Sequence, residues 1–318
     1  MHGYRSILAR MLVVAAALMA LAAQPAAAQE QAQHRKKVIV CSTTQIYDFA
    51  RQIVGDRWEV QRILAPGADP HLYEPRPGDA RKVAAADLCL QNGLNLEGHA
   101  WMKRLAEGAG KPIVNCTDGI ALLELDEGGE AVPDPHAWFD PTNAAVYVNN
   151  ILAAVRKLDP DHAEEYNARA ALYLTQLRAL HLWAQQQAAR VPAEKRILVT
   201  SHDAFNYFCR AYGFKAAAPV GWSTGEEVGG GMTPERRKMV VDSIQSFNVP
   251  AIFVETSVNP KVIQQLAIDA GVAIGGELYS DSMGPEGSAG ETYIGMMREN
   301  VLTIVQALSA SDDAAQAD

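Results

Sequence analysis

The chain has 318 residues, of which 48% are hydrophobic, and its formal net charge is −9 at neutral pH. This length is enough for two domains that each bury a core of their own. The negative charge argues against nucleic acid and anionic membrane surfaces as partners, and it favours cations.

Residues 1–28 have the features of a cleaved secretory leader. Arg5 and Arg10 give the N-terminal region a positive charge, and the apolar run LVVAAALMALAA follows. Three alanines at 26–28 form a small-residue cleavage site. The apolar run is shorter than a membrane span. No cysteine stands directly behind the cleavage site, where Gln29 and Glu30 follow, so we expect a periplasmic protein that is not a lipoprotein and has no membrane anchor.

Residues 29–159 predict an N-terminal α/β lobe. Short apolar segments typical of strands are KVIVCSTT, WEVQRIL, DLCLQNG and KPIVNCTDG. Segments with helical periodicity lie between them, and Asp79 is the predicted N-cap of one such helix. Strands that alternate with helices predict a parallel sheet with crossover connections. The acidic segment 120–135 is predicted to be a loop, and Asp140 is predicted to cap the helix that follows it.

Residues 160–191 contain no proline or glycine after Pro160, and they predict one long helix. A continuous apolar stripe follows the helical period at Tyr166, Ala170, Tyr173, Leu177, Leu180 and Ala184. A helix of this length is typical of a rigid connection rather than a flexible linker.

Residues 192–308 repeat the α/β pattern and predict a C-terminal lobe. RILVTS, AIFVET and VAIGGELYS have the composition of strands, and helical segments follow each of them. Asp203 is predicted to cap the first of these helices, and the tail 309–318 is predicted to be disordered. The predicted fold class is therefore α/β, with two lobes that each contain a mainly parallel sheet and are joined by one long rigid α-helix.

The four cysteines do not form a zinc-binding motif, because no CxxC pair occurs. An oxidising compartment would permit pairing, but the spacing of the cysteines does not define which would pair. Buried free thiols are at least as compatible with their strand-like surroundings as a disulfide is.

Four isolated ionisable residues lie at the ends of predicted strands or in proline-stiffened loops. His202 directly follows RILVTS, and Asp281 directly follows VAIGGELYS. His71 lies in the loop GADPHLYEPRPGD, and His136 lies in the loop DPHAWFDP. Ligands of open parallel sheets bind beyond the carboxyl ends of the strands, so a cleft between the lobes is expected to bring the four together.

Three neutral imidazoles and one carboxylate form a suitable set of ligands for a borderline divalent ion. Taken singly, each of these residues would more often be an ordinary polar side chain. Glu255 also ends a strand and is the competing acid, while Tyr73 and Trp138 are expected to wall the site. The segment GEEVGGGM lacks the Lys-Ser/Thr of a phosphate loop and is expected to be a mobile loop at the cleft edge.

The chain resembles the zinc/manganese receptor class of periplasmic solute-binding proteins of ABC transporters. The resemblance covers essentially the whole mature chain, and its specific motifs are DPHLYEPRPGD, PHAWFDP, SHDAFNYF and YSDSMGPEGSAGETYIGMMREN. It implies two α/β lobes joined by a rigid helix, with one metal ion between them. The metal ligands of the family match His71, His136, His202 and Asp281, the set already reached from the strand ends.

The resemblance implies a protein that captures Zn²⁺ or Mn²⁺ and delivers it to an ABC permease, and not an enzyme. We expect it to act as a monomer. His202 stands where manganese receptors of this family often have glutamate, and the histidine-rich loop of many zinc receptors is missing. The alternative is a secreted zinc-dependent hydrolase, in which three histidines would leave one position open for a catalytic water. Glu255 or Glu74 would then serve as the general base.

Overall fold

The computed structural model describes residues 35–127, 130–217, 233–257 and 260–309. The predicted leader, the segment GEEVGGGM and all of the predicted tail except Ser309 lie outside these residues. The predicted domain boundaries at 159, 191 and 308 remain predictions.

The first lobe is built on four strands. They are β1 (Lys37–Cys41), β2 (Trp58–Arg62), β3 (Leu88–Gln91) and β4 (Ile113–Asn115). Their spatial order is β2-β1-β3-β4, and the pairs β1–β3 and β3–β4 are parallel. The connecting helices are α1 (Thr44–Val54), α2 (Pro77–Ala85) and α3 (Trp101–Gly108). This arrangement confirms the predicted parallel sheet with helical crossovers.

Two local signals define the ends of α1. The Thr43 side chain accepts a hydrogen bond from the Ile46 backbone N–H, and the helix ends before Gly55, which has a φ of 52°.

The predicted N-cap of α2 at Asp79 was wrong. The helix begins two residues earlier, at Pro77, because proline suits the first helical position. Asp79 is therefore the third helical residue, and its carboxylate accepts from the Arg76 backbone N–H at 2.8 Å.

The predicted acidic loop at 120–135 contains an antiparallel hairpin of β5 (Glu124–Glu127) and β6 (Glu130–Pro133). Glutamate-rich segments have low strand propensity, which explains why the sequence pattern indicated a loop. The cross-strand pair of Leu125 and Val132 provides apolar contact across the hairpin. Tertiary contact also fixes its base, where the Leu123 backbone N–H donates to the Tyr207 hydroxyl at 3.0 Å.

The long connecting helix forms as predicted. A single 3₁₀ turn at Pro160–His162 leads into α5 (Ala163–Ala188), which follows α4 (Pro141–Leu158). All six residues of the predicted apolar stripe are buried. The helix packs on α1 and α4 of the first lobe and on two helices of the second lobe, so it belongs to the hydrophobic core of both.

The second lobe contains two parallel strand pairs. The strands are β7 (Ile197–Val199), β8 (Lys215–Ala217), β9 (Ala251–Glu255) and β10 (Ala273–Leu278), paired as β7–β8 and β9–β10. The helices are α6 (Asn206–Tyr212), α7 (Pro234–Ser246), α8 (Pro260–Ala270) and α9 (Tyr293–Ser309). The predicted cap at Asp203 was wrong, because α6 begins three residues later, behind Phe205. None of the helices in the described parts of the chain combines the length and apolarity needed to cross a bilayer.

The cysteines are structural. Cys41, Cys89, Cys116 and Cys209 are all buried and unpaired. Burial raises the pKa of Cys89 to about 11, so this thiol stays protonated at neutral pH. The described fold is therefore stabilised by packing and hydrogen bonds rather than by disulfides.

Candidate metal-binding site

His71 lies in the loop between β2 and α2, and its backbone is held from two sides. Its own N–H donates to the Asp69 carboxylate at 2.7 Å, and the indole N–H of Trp101 donates to the Pro70 carbonyl at 3.0 Å. Gly98 approaches so closely that a Cβ atom there would lie 1.9 Å from the His71 carbonyl oxygen. The loop position of this histidine therefore depends on the neighbouring segment as well as on its prolines.

His136 lies just before the 3₁₀ turn Ala137–Phe139 and is oriented by Asp134. One oxygen of that carboxylate accepts from the His136 backbone N–H at 2.9 Å and lies 2.8 Å from the imidazole Nδ1. Asn92, at the end of β3, donates to the Pro135 carbonyl at 3.0 Å. With Nδ1 bound to Asp134, the Nε2 lone pair of His136 is left to face the cleft.

His202 follows β7, and Glu255 at the end of the neighbouring β9 lies behind it. The Glu255 carboxylate lies 2.6 Å from Nδ1 of His202 and accepts from its backbone N–H at 3.0 Å. Glu255 is fully buried and also accepts from the Ser201 hydroxyl. Glu255, which the sequence offered as the alternative acidic ligand, is therefore a partner of His202. It lies outside the group formed by the three histidines and Asp281.

Asp281 follows β10 and faces all three imidazoles. Its Oδ1 lies 3.5 Å from Nε2 of His136, and its Oδ2 lies 3.4 Å from Nε2 of His202 and 3.9 Å from Nε2 of His71. The Nε2 atoms of His71 and His136 are 3.3 Å apart. One ligand atom from each of the four residues lies within 4.8 Å of the other three, which is compatible with a common ion.

The site is shielded from water. His136, His202 and Asp281 are buried, and the side chain of His71 is 22% exposed and forms the solvent side. The Trp138 ring packs edge-on against His136 with a centroid distance of 5.5 Å, as predicted for a wall. Tyr73 instead packs on Trp101 and donates its hydroxyl to Asp79, so it supports the His71 loop from behind.

The charges of the four groups are strongly coupled. Burial lowers the pKa of His71 to about 4, with Asp281 opposing that shift and the other two imidazoles adding to it. Burial also acts to lower the pKa of His202, but the carboxylates of Glu255 and Asp281 raise it well above its usual value. Burial would raise the pKa of Asp281, yet the imidazoles, His202 foremost, hold it below its usual range. A cation would thus replace a proton held on His202 beside an ionised aspartate.

The role of Asp134 was not predicted from the sequence, although the motif DPH contained the signal. DPH occurs twice, at 69–71 and 134–136, and the aspartate two residues before each histidine accepts a hydrogen bond from its backbone N–H. In the second copy the aspartate also orients the imidazole. The repeated aspartate, and not only the proline, was therefore informative.

Comparison with known proteins places the chain among metal receptors. The family model described as zinc-uptake complex component A, periplasmic, matches residues 39–307. The manganese-binding lipoprotein MntA of Halalkalibacterium halodurans is 40% identical over 272 residues, which are 85% of this chain and 88% of that protein. The iron-binding protein YfeA of Yersinia pestis is 37% identical over 274 residues, 86% of each chain.

A solved structure shows the same fold. The periplasmic zinc binding protein TroA from Treponema pallidum superposes with a TM-score of 0.79 at 33% sequence identity. The match covers 87% of this chain and 100% of that chain. Two lobes with parallel sheets and a long connecting helix are therefore the architecture of this group of proteins.

The predicted localisation, a periplasmic protein that is not a lipoprotein, was wrong. Relatives such as the H. halodurans protein are named lipoproteins, which are held at a membrane by a lipid anchor. The prediction depended on the absence of a cysteine behind residue 28, and that absence does not decide how the chain is held. With the family model matching residues 39–307, this chain belongs to the family of zinc-uptake complex component A, the substrate-binding proteins of metal ABC transporters.

Proposed function

We propose that this chain binds one divalent transition-metal ion, Zn²⁺ or Mn²⁺, through His71, His136, His202 and Asp281, and delivers it to the permease of an ABC transporter. The observation that carries the proposal is the convergence of three imidazole Nε2 atoms on both oxygens of Asp281. Two of the four residues come from each lobe, so an ion bound here would join the lobes. One chain supplies all four, which supports action as a monomer.

The donor set is compatible with both metals for different reasons. Three imidazoles and one carboxylate oxygen satisfy tetrahedral Zn²⁺. Both oxygens of Asp281 face imidazoles, which would raise the coordination number and suit Mn²⁺, an ion that prefers more oxygen ligands. The intrinsic affinity order favours Zn²⁺ over Mn²⁺ at such a site, so metal supply contributes to which ion is carried.

The geometry supports capture rather than hydrolysis. A hydrolase needs a coordination position open to water and a general base beside it. Of the two candidate bases, Glu255 is fully buried and bonded to Ser201 and His202, while Glu74 is exposed on the loop surface. Four protein ligands would fill the coordination sphere of a tetrahedral Zn²⁺ ion and leave no position for a reactive water.

Metal content and affinity test the proposal. Wild-type protein is expected to take up one ion per chain, and His202→Ala should weaken binding by removing one imidazole and freeing the Glu255 carboxylate. His162→Ala is a matched control, because His162 lies in the 3₁₀ turn before α5 and contacts Asp159 rather than the site. Equal affinities in wild type and His202→Ala would remove His202 from the set of ligands and contradict the proposal.

A further inference from the structure

The first turns of α1 carry three buried polar side chains that the proposed site does not use. Thr44, Gln45 and Asp48 are 3%, 1% and 5% exposed. The other buried residues of this helix are apolar, as expected for a helix that packs against a core. A buried polar group destabilises a fold unless it is hydrogen-bonded, so the partners of these three side chains indicate their role.

Each of the three has one partner in the second lobe, within the stretch from Ser280, next to Asp281, to Tyr293 at the start of α9. The Gln45 amide donates to the Ser280 carbonyl at 3.2 Å, and the Met283 backbone N–H donates to the Thr44 hydroxyl at 2.9 Å. The Tyr293 backbone N–H donates to the Asp48 carboxylate at 3.0 Å. The Thr44 hydroxyl donates to the Gln45 amide oxygen at 3.1 Å, which directs the amide NH₂ group toward the Ser280 carbonyl.

A further bond joins the two ligand loops directly. The Gly67 backbone N–H, in the loop that leads to His71, donates to the Ser282 hydroxyl at 2.8 Å. Ser280 and Ser282 are the residues on either side of Asp281, and both are thus hydrogen-bonded to the first lobe. The fourth ligand of the site is therefore fixed from both sides by residues of the opposite lobe.

We propose that Gln45, Thr44 and Ser282 are positioning residues that hold both carboxylate oxygens of Asp281 toward the imidazoles, and so favour Mn²⁺ relative to Zn²⁺. This inference rests on the proposed function and deepens it. An ion that needs more oxygen ligands depends on both Asp281 oxygens, whereas tetrahedral Zn²⁺ is satisfied by one. Release of the Asp281 segment should therefore weaken Mn²⁺ binding more than Zn²⁺ binding.

The experiment compares Mn²⁺ and Zn²⁺ affinities in wild type, Gln45→Met and Thr44→Val. Both substitutions keep approximate side-chain volume and remove the hydrogen-bonding group. Loss of residues that orient a ligand typically lowers metal affinity by roughly 10- to 100-fold. We expect a loss of this size for Mn²⁺, a smaller loss for Zn²⁺, and hence a higher ratio of Zn²⁺ to Mn²⁺ affinity.

Gln91→Met is the matched control for folding. Gln91 is also a buried glutamine, and its amide donates to Asn115 within the first lobe. The substitution Gln91→Met should lower the thermal stability of the metal-free protein without changing the ratio of Zn²⁺ to Mn²⁺ affinity. The inference would be overturned if Gln45→Met and Thr44→Val both kept the wild-type ratio of Zn²⁺ to Mn²⁺ affinity, whether the two affinities are unchanged or fall equally. Wild-type protein that binds neither ion would instead overturn the proposed function itself.

Discussion

The Nδ1 atom of His202 lies 2.6 Å from Oε2 of Glu255, while Oε1 of the same carboxylate accepts from the His202 backbone N–H at 3.0 Å. A carboxylate can only accept here, so Nδ1 keeps its proton when a metal ion displaces the other one, and Nε2 is the nitrogen directed at Asp281. Glu255 therefore determines which nitrogen of His202 is available to a metal ion.

Glu255→Gln should weaken metal binding while leaving the packing nearly unchanged. The glutamine oxygen would be retained by the backbone N–H of His202 and the Ser201 hydroxyl, so the amide NH₂ would face Nδ1. Nδ1 would then accept a hydrogen bond, and the neutral imidazole would carry its one proton on Nε2, where it blocks coordination. A loss of roughly 10- to 100-fold in affinity is expected, measured by competition with a chelator of known affinity.

Asp134→Asn is the contrasting variant. A single oxygen of Asp134 bonds both the backbone N–H and Nδ1 of His136, and its other oxygen accepts from the Asn206 amide. An asparagine can keep the first oxygen in place, and the Asn206 amide can reverse to accept from the new NH₂ group. Its loss of affinity should be smaller than that of Glu255→Gln, and the reverse order would contradict the assigned tautomers.

Gly98→Ala should disturb the site more than the fold. The added Cβ would lie 1.9 Å from the His71 carbonyl oxygen, a backbone atom, so the His71 loop must shift. Displacement of one ligand should lower metal affinity by roughly tenfold or more. Gly108→Ala at the end of α3 is the control, since nothing lies within 4 Å of its Cβ position. Equal affinities in the two variants would show that the Gly98 contact does not position His71.

Metal binding should release a proton at neutral pH. The pKa of His202 is raised well above its usual value, so metal-free protein holds a proton on this imidazole at pH 7, and a metal ion must displace it. His71, whose pKa burial lowers to about 4, is neutral at pH 7 and loses none.

Affinity should consequently rise with pH by about tenfold per unit while about one proton is displaced. The fall on acidification should steepen near pH 4, where His71 also becomes protonated. Calorimetric titrations in buffers of different ionisation enthalpy measure the number of protons directly. Release of no proton at pH 7 would contradict the charged state assigned to His202.

Bound metal should stabilise the folded chain, because all four residues converge only when it is folded. A free metal concentration of about 1,000 times the Kd adds roughly 4 kcal/mol to the free energy of unfolding. Thermal unfolding with and without a chelator measures this difference. His202→Ala should reduce the stabilisation, and an unchanged shift in that variant would place the bound ion elsewhere on the protein.

The sequence was sufficient to predict which four side chains lie close together, because two of them directly follow strands and two lie in proline-stiffened loops. The carboxyl ends of parallel strands meet at one edge of a sheet, so local pattern carries long-range information in this fold class. The apolar stripe of α5 could also be predicted from the sequence, because apolar residues on the buried face of a helix recur with a period of about 3.6 residues.

Features set by tertiary contact could not be read in this way. Thr44 and Gln45 are ordinary polar residues within a helical pattern, and only the folded chain shows their bonds to Ser280 and Met283. The β5–β6 hairpin is acidic and poor in β-branched residues, so its strands depend on pairing and on the contact with Tyr207. Glu255 was identified as an acid at a strand end, but its distance from His202 was needed to assign it a role.

X-ray absorption spectroscopy of protein loaded with one equivalent of Zn²⁺ tests the central claim most directly. We expect three imidazole nitrogens and one carboxylate around the ion, with bonds of about 2.0–2.2 Å and no sulfur ligand. His202→Ala should reduce the imidazole count by one. A coordination shell with fewer than three imidazoles in the wild type, or with a sulfur ligand, would contradict the site.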